Sequence, residues 1–333
     1  MKRFLQLICC ATLLTACEQW GESLDIKSNS AIAFNAESIV RSALTQEDID
    51  KKMATVKVYA TRNGGTPALY NNVEITREST GKWYPETGKT DWVSGNNYLF
   101  YGYAYNTIEG LTINDNGKSV TVNQPTSYNE EKMIDYLLSY QFSVANGAMK
   151  PIVQLQLEHA MTLVEIYVVR GNLFEAKLKK LSLENLFSSA SLKCTTHAVI
   201  NDGTTNVWEV NPSGNGTTKY TIQQNSDIEI TITDTRESTA AKMKIMCIPQ
   251  QLTANTTLTV VYEVNEKVTA DGAANWVEHT ESFQLFKYDP IAYQSGHRVI
   301  YTATIDSGVN LQGVIAEWKD VDYIEGTILP DIQ

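Results

Sequence analysis

The chain has 333 residues, with 27 Lys and Arg against 38 Asp and Glu for a formal net charge of −11, and 43% of it is hydrophobic. That acidity argues against nucleic acid and anionic membrane surfaces as partners, and the length suits about two domains of roughly 150 residues each. Beyond the N-terminal region no apolar run is long enough to span a bilayer as a helix.

Lys2 and Arg3 precede the mostly apolar stretch FLQLICCATLLTA, the layout of a secretory signal peptide over residues 1–16. It ends Leu14-Thr15-Ala16-Cys17, which resembles the lipobox of bacterial lipoproteins. That resemblance implies that Cys17 becomes the acylated N-terminus, carrying palmitate-type chains. At about 0.8 kcal/mol per buried CH₂, such chains hold a protein firmly on the outer membrane. Residues 17–30 are polar and read as a tether. Ala31 to Val40 then reads as a lone strand with Ile32 and Phe34 on one face, and it ends at Arg41 in a mixed loop.

Most of the remaining chain reads as short strands between turn dipeptides. Alternation is visible in Val56/Val58/Ala60, Tyr98/Phe100/Gly102/Ala104, Ile228/Ile230/Ile232, Leu258/Val260/Tyr262/Val264 and Val299/Tyr301/Ala303/Ile305. Asn63-Gly64, Asn116-Gly117, Asn146-Gly147, Asp202-Gly203 and Asp271-Gly272 tolerate the positive φ of tight hairpins. Together these predict an all-β protein of two tandem antiparallel β-sandwich domains, over 31–148 and 149–333, with the boundary in the polar link Asn146 to Met149. One amphipathic helix is expected from Asn129 to Tyr140, with Met133, Leu137 and Tyr140 on its apolar face. In PIVQLQLEHAMTLVEIYVVRG the apolar positions run Val153, Leu155, Leu157, His159, Met161, Leu163 and then shift to Val164, Ile166, Val168. A bulge near Thr162 to Val164, or a strand passing from one sheet into another, accommodates that slip.

Catalytic chemistry finds little footing. Gly88-Lys89-Thr90 lacks the glycine five positions earlier that a phosphate loop needs, since Trp83 stands there, and Ser213 to Lys219 reads as a glycine-bearing turn. The four histidines, His159, His197, His279 and His297, are far apart in sequence, and His159 lies on an apolar face as a core histidine would. Paired carboxylates such as Glu130/Glu131 and Asp320/Asp322 are what so acidic a chain yields as solvated charge. No enzyme activity, cofactor or metal is expected. Cys194 and Cys247 are open to two readings, one disulfide or two buried thiols. The aromatics Trp83, Tyr84, Trp92, Tyr98, Phe100, Tyr101, Tyr103 and Tyr105 favour a sandwich core over exposed glycan-stacking platforms.

Taken in order, several stretches resemble the fimbrillin family, the type V pilins of Bacteroides-like bacteria. They are LTAC at Leu14 to Cys17, AIAFNAESIVRSA at Ala31 to Ala43, KVYA at Lys57 to Ala60, and YLFYGYAY at Tyr98 to Tyr105. LQLEHAMTLVEIYV at Leu155 to Val168, PQQL at Pro249 to Leu252 and YTATIDSGVNLQGVIAEW at Tyr301 to Trp318 complete the series. The resemblance implies two transthyretin-like sandwich domains and delivery to the outer membrane as a lipoprotein. It further implies cleavage by an arginine-specific protease, here between Arg41 and Ser42, where the family pattern usually has Ala in place of Ser. Removing the strand with Ile32 and Phe34 would open a groove for a neighbouring subunit's strand. The tail after Trp318, with Val321, Tyr323, Ile328 and Leu329, is the candidate donor, and the expected product is a cell-surface fimbria with a role in adhesion. The competing expectation is a monomeric surface lipoprotein that binds glycans through exposed aromatics.

Overall fold

The computed structural model describes residues 31–38 and 55–317, apart from 66, 106–110, 115–116, 148, 172–174, 200–202, 214–215, 224–229, 267–273, 289 and 307–308. Strand dominates it. The helical elements among the described residues are single 3-10 turns, Glu130–Lys132 and Leu285–Lys287.

The first sheet runs Thr55–Arg62, Tyr70–Arg77, Trp83–Pro85, Phe34–Ser38, Val153–His159, Tyr136–Ser139 and Tyr98–Tyr105, and the last of these returns to pair with Thr55–Arg62. The pairings therefore form a closed circuit, with Phe142–Val144 added along the free part of Tyr98–Tyr105. Closure hides the sheet edges that alternating strands of this kind would otherwise expose. Val56, Val58, Phe100, Leu137, Leu155 and Leu157 point inward and share one core.

Two further sheets face each other across a second core. One joins Lys242–Cys247, Thr162–Arg170, His297–Ile305 and Val309–Glu317; the other joins Thr218–Gln223, Ala176–Leu186, Thr257–Asn265 and Trp276–Gln284, with Ile230–Ile232 also on Ala176–Leu186. Val164, Ile166, Leu181, Val260 and Tyr301 lie between them. A fourth sheet, Gly203–Ser213, Ser189–Val199, Ser119–Asn123 and Leu111–Asn114, takes one hairpin from each half of the sequence. A short pair, Gln250–Gln251 with Ala292–Tyr293, completes the set.

The apolar slip in PIVQLQLEHAMTLVEIYVVRG is a change of sheet. Val153–His159 belongs to the first circuit and Thr162–Arg170 to the second body, so the chain crosses at Ala160 and Met161. That crossing comes later in the chain than the link Asn146 to Met149. It is held on both sides: Ala160 N–H donates to the Tyr136 carbonyl at 2.8 Å, Gly296 N–H donates to the Met161 carbonyl at 2.9 Å, and Ser295 Oγ donates to the Ala160 carbonyl at 3.1 Å. Just before it, His159 Nδ1 lies 2.9 Å from Asp135 Oδ1, with the two side chains 0% and 1% exposed. His159 is the core histidine that its position on an apolar face predicts.

The expected helix from Asn129 to Tyr140 does not form; its place is taken by the turn Glu130–Lys132 and the strand Tyr136–Ser139. The reason is burial on both faces. Tyr136 and Leu138 pack into the second core while Leu137 packs into the first, so period two replaces the helical stripe. Thr55–Arg62 and Tyr98–Tyr105 behave alike, sending Tyr59, Tyr101 and Tyr103 outward under the fourth sheet. Contact there is close: Tyr103 Oη donates to the Gly117 carbonyl at 2.6 Å, and a Cβ on Gly117, whose φ is +85°, would stand 2.5 Å from Tyr59 Cδ1.

Removing the buried carboxylate from the crossing should cost stability without changing the fold. Asp135→Ala is expected to lower the unfolding free energy by about 2–3 kcal/mol, read from urea denaturation, because it leaves the His159 ring buried without this acceptor.

Candidate functional site

The first strand, Phe34–Ser38, is the segment that closes the circuit, and its two sides are held unequally. Along one side it pairs in parallel with Val153–His159 over five residues, from Phe34 opposite Val153 to Ser38 opposite Leu157. Asn35 Nδ2 donates to Gln154 Oε1 at 3.0 Å on the same side. Along the other side the ladder consists of Phe34 opposite Trp83, supplemented by Ile32 N–H donating to the Thr90 carbonyl at 2.8 Å and by the bridge of Ala31 to Asp91. The strand is thus zipped to one neighbour and stitched to the other.

What anchors it is side-chain burial. Ile32 is 1% exposed, Phe34 0% and Ala36 1%, at alternate positions facing the core, and Ala33 between them is 6% exposed. The Phe34 ring meets Tyr70 at 6.0 Å and Phe100 at 5.7 Å, both edge to face, the arrangement favoured by ring quadrupoles. Fully burying Ile32 and Phe34 stabilises by roughly 1.5–3 kcal/mol each. Withdrawing the strand would leave an apolar trough, floored by Tyr70 and Phe100 and flanked by the unpaired edges of Trp83–Pro85 and Val153–His159.

Ile32 and Phe34 therefore lie together, as their alternation predicts. Cys17, Arg41, Ser42, Val321, Tyr323, Ile328 and Leu329 lie outside the described residues. Cys194 and Cys247 both stand as free thiols, Cys247 buried and Cys194 half-buried. Their surroundings differ: Cys247 is enclosed in the second core near Tyr220, Tyr293 and Tyr301, and burial pushes its thiol far above the usual range. Cys194, half-buried beside Gln141, is shifted upward by burial as well. Of the aromatic series, Trp83, Tyr84, Trp92, Tyr98, Phe100, Tyr101 and Tyr103 are all buried, which removes them as exposed glycan platforms. Among the described residues no group of three or more His, Cys, Asp or Glu is placed to hold a metal ion. Sequence reasoning missed the Asp135 partner of His159 and the facing of Phe34 by Trp83, since neither spacing carries a signal.

Truncating the anchor should be costly and its outward neighbour tolerant. Phe34→Ala is expected to lose about 3–5 kcal/mol in urea denaturation, whereas Asn35→Ala, whose bond to Gln154 is exposed, should change stability by less than about 1 kcal/mol. Thiol labelling read by peptide mass spectrometry should leave Cys247 unmodified in the folded protein at pH 8 and label both Cys194 and Cys247 without reductant once it is unfolded.

A family model described as fimbrillin-like matches residues 42–318. A crystal structure from Bacteroides uniformis ATCC 8492, described as that of a candidate cell adhesion protein, is similar in fold with 16% identity and a TM-score of 0.53, covering 87% of this chain and 100% of that one. A second, from Bacteroides ovatus ATCC 8483 and described in the same way, has 18% identity and a TM-score of 0.45, covering 86% of this chain and 96% of that one. No curated protein sequence matches the chain. With the family model matched over most of its length, the chain belongs to the fimbrillin-like family.

Proposed function

We propose that this protein is a structural subunit of a cell-surface fimbria, exported as a lipoprotein through Cys17 and assembled with other fimbrial subunits by exchange of the first strand. The single observation that carries the exchange is the way Phe34–Ser38 is held: a five-residue parallel ladder on one side, a single ladder residue on the other, and Phe34 fully buried. Such a strand completes the fold but is covalently joined to it only through the segment that contains Arg41. Cleavage between Arg41 and Ser42 would discard the lipid, the tether 17–30 and the strand together. The family match opens at Ser42, immediately after that bond, and closes at Trp318, immediately before the tail.

In this reading the protein consists of two transthyretin-like sandwich domains with no catalytic role. The groove left by the strand is filled by a neighbour's strand, which gains backbone hydrogen bonds and seats alternate side chains in the pockets. The tail, with Val321, Tyr323, Ile328 and Leu329, is the segment this chain has to offer in return. Lipid on Cys17 serves delivery to the outer membrane and is lost at assembly.

Treatment of the full chain with an arginine-specific protease tests this. A product beginning at Ser42 should appear, and in the presence of the other fimbrial subunits it should pass into ladders of high molecular weight that persist in mild detergent. A cleaved product that stays monomeric in that mixture would contradict assembly by strand exchange.

A further inference from the structure

The groove also carries information about what can fill it, and we infer that its occupant is a strand from a different chain and not the tail of a second copy of this protein. The inference rests on the strand-exchange reading above and adds the identity of the partner. Four of five consecutive positions set the requirement. The site of Ile32 takes an aliphatic chain, that of Phe34 an aromatic ring between Tyr70 and Phe100, and that of Ala36 a methyl group at 1% exposure. Ala33, at 6% exposure, demands a second small residue. Position 35 sets no requirement, since Asn35 points outward to Gln154. The pattern is aliphatic, small, aromatic, any, small.

The tail, KDVDYIEGTILPDIQ from Lys319 to Gln333, meets it in no register. Taken two apart, in either direction, every set of three residues contains a charge, a glycine or a proline. The nearest fit runs parallel to Val153–His159, as the first strand does, and sets Val321 in the site of Ile32 and Tyr323 in that of Phe34. It also places Asp322 in the site of Ala33 and Glu325 in that of Ala36. Both carboxylates would be buried where small apolar side chains now pack, with the desolvation cost of unpaired charge. The run from Ile328 puts Pro330 at the aromatic site, where it has neither a ring of that kind nor an amide proton for the ladder. Two acidic residues thus act as a bar to self-association along this groove, and the joint it forms is one between unlike subunits.

The test uses the full chain with the site of an unrelated, sequence-specific protease inserted between Arg41 and Ser42, so that the strand is released whether or not Arg41 is a natural cleavage site. Three fluorescent peptides are titrated against the cut protein: residues 31–38, residues 319–333, and the latter carrying Asp322→Ala with Glu325→Ala. The first and third are expected to bind, and the unaltered tail to bind at least ~100-fold more weakly. An unaltered tail that binds as tightly as residues 31–38 would overturn the inference while leaving strand exchange intact. Failure of all three peptides to bind would show that the groove accepts no strand, and both readings would fall.

Discussion

Closure of the first sheet depends on one parallel ladder, that between Phe34–Ser38 and Val153–His159. It joins segments far apart in the chain, Asn35 lying 119 positions before Gln154. Contacts of such separation are closed at a large cost in chain entropy and tend to form after local hairpins are in place. The remaining neighbours in the circuit pair antiparallel. The strand Phe34–Ser38 is also the first in chain order among the described residues. That combination makes it separable in principle from a fold that is otherwise continuous.

The partner strand has a second duty. Val153–His159 lines the groove with Val153, Leu155 and Leu157, then runs through Ala160 and Met161 directly into Thr162–Arg170 and the second core. The buried pair of His159 and Asp135 fixes its end. Its neighbours are buried on both faces, because Tyr136 and Leu138 pack into the second core and Tyr101 and Tyr103 lie under the fourth sheet, while Leu137 and Phe100 pack inward. The floor of the groove is therefore supported from behind by a body that does not contain the first strand. In the proposed exchange, a groove supported in this way would keep its shape while its own strand is absent, which lowers the ordering cost of taking another.

Much of this was legible in the sequence because alternation is a direct consequence of a pleated strand with one face buried. Val56/Val58/Ala60, Leu258/Val260/Tyr262/Val264 and the isolated pair Ile32 and Phe34 all read correctly on that rule. It fails where both faces are buried: Ile134 to Ser139 is buried throughout, Asp135 and Ser139 included, and Met133, Leu137 and Tyr140 fell into a helical spacing that the structure divides between two cores and a half-exposed site. The slip at Met161 to Val164 marked the change of sheet, but it could not say whether a bulge or a crossing caused it. Contacts between distant positions, Asp135 with His159 or the separation of Cys194 from Cys247, leave no trace in spacing. The significance of Arg41 came from likeness to a family and from no physical property of its neighbours.

The central claim is that the first strand is a detachable part of a fold that otherwise stands. Native-state hydrogen exchange of the uncut chain, followed residue by residue in increasing denaturant, measures this directly. The amides of Phe34 to Ser38, and those of Val153 to His159 that face them, should exchange through an opening smaller than global unfolding, while Val164, Val168 and Val260 in the second core exchange only globally. Exchange of Phe34 to Ser38 solely through the global transition, with the same denaturant dependence as Val260, would contradict it.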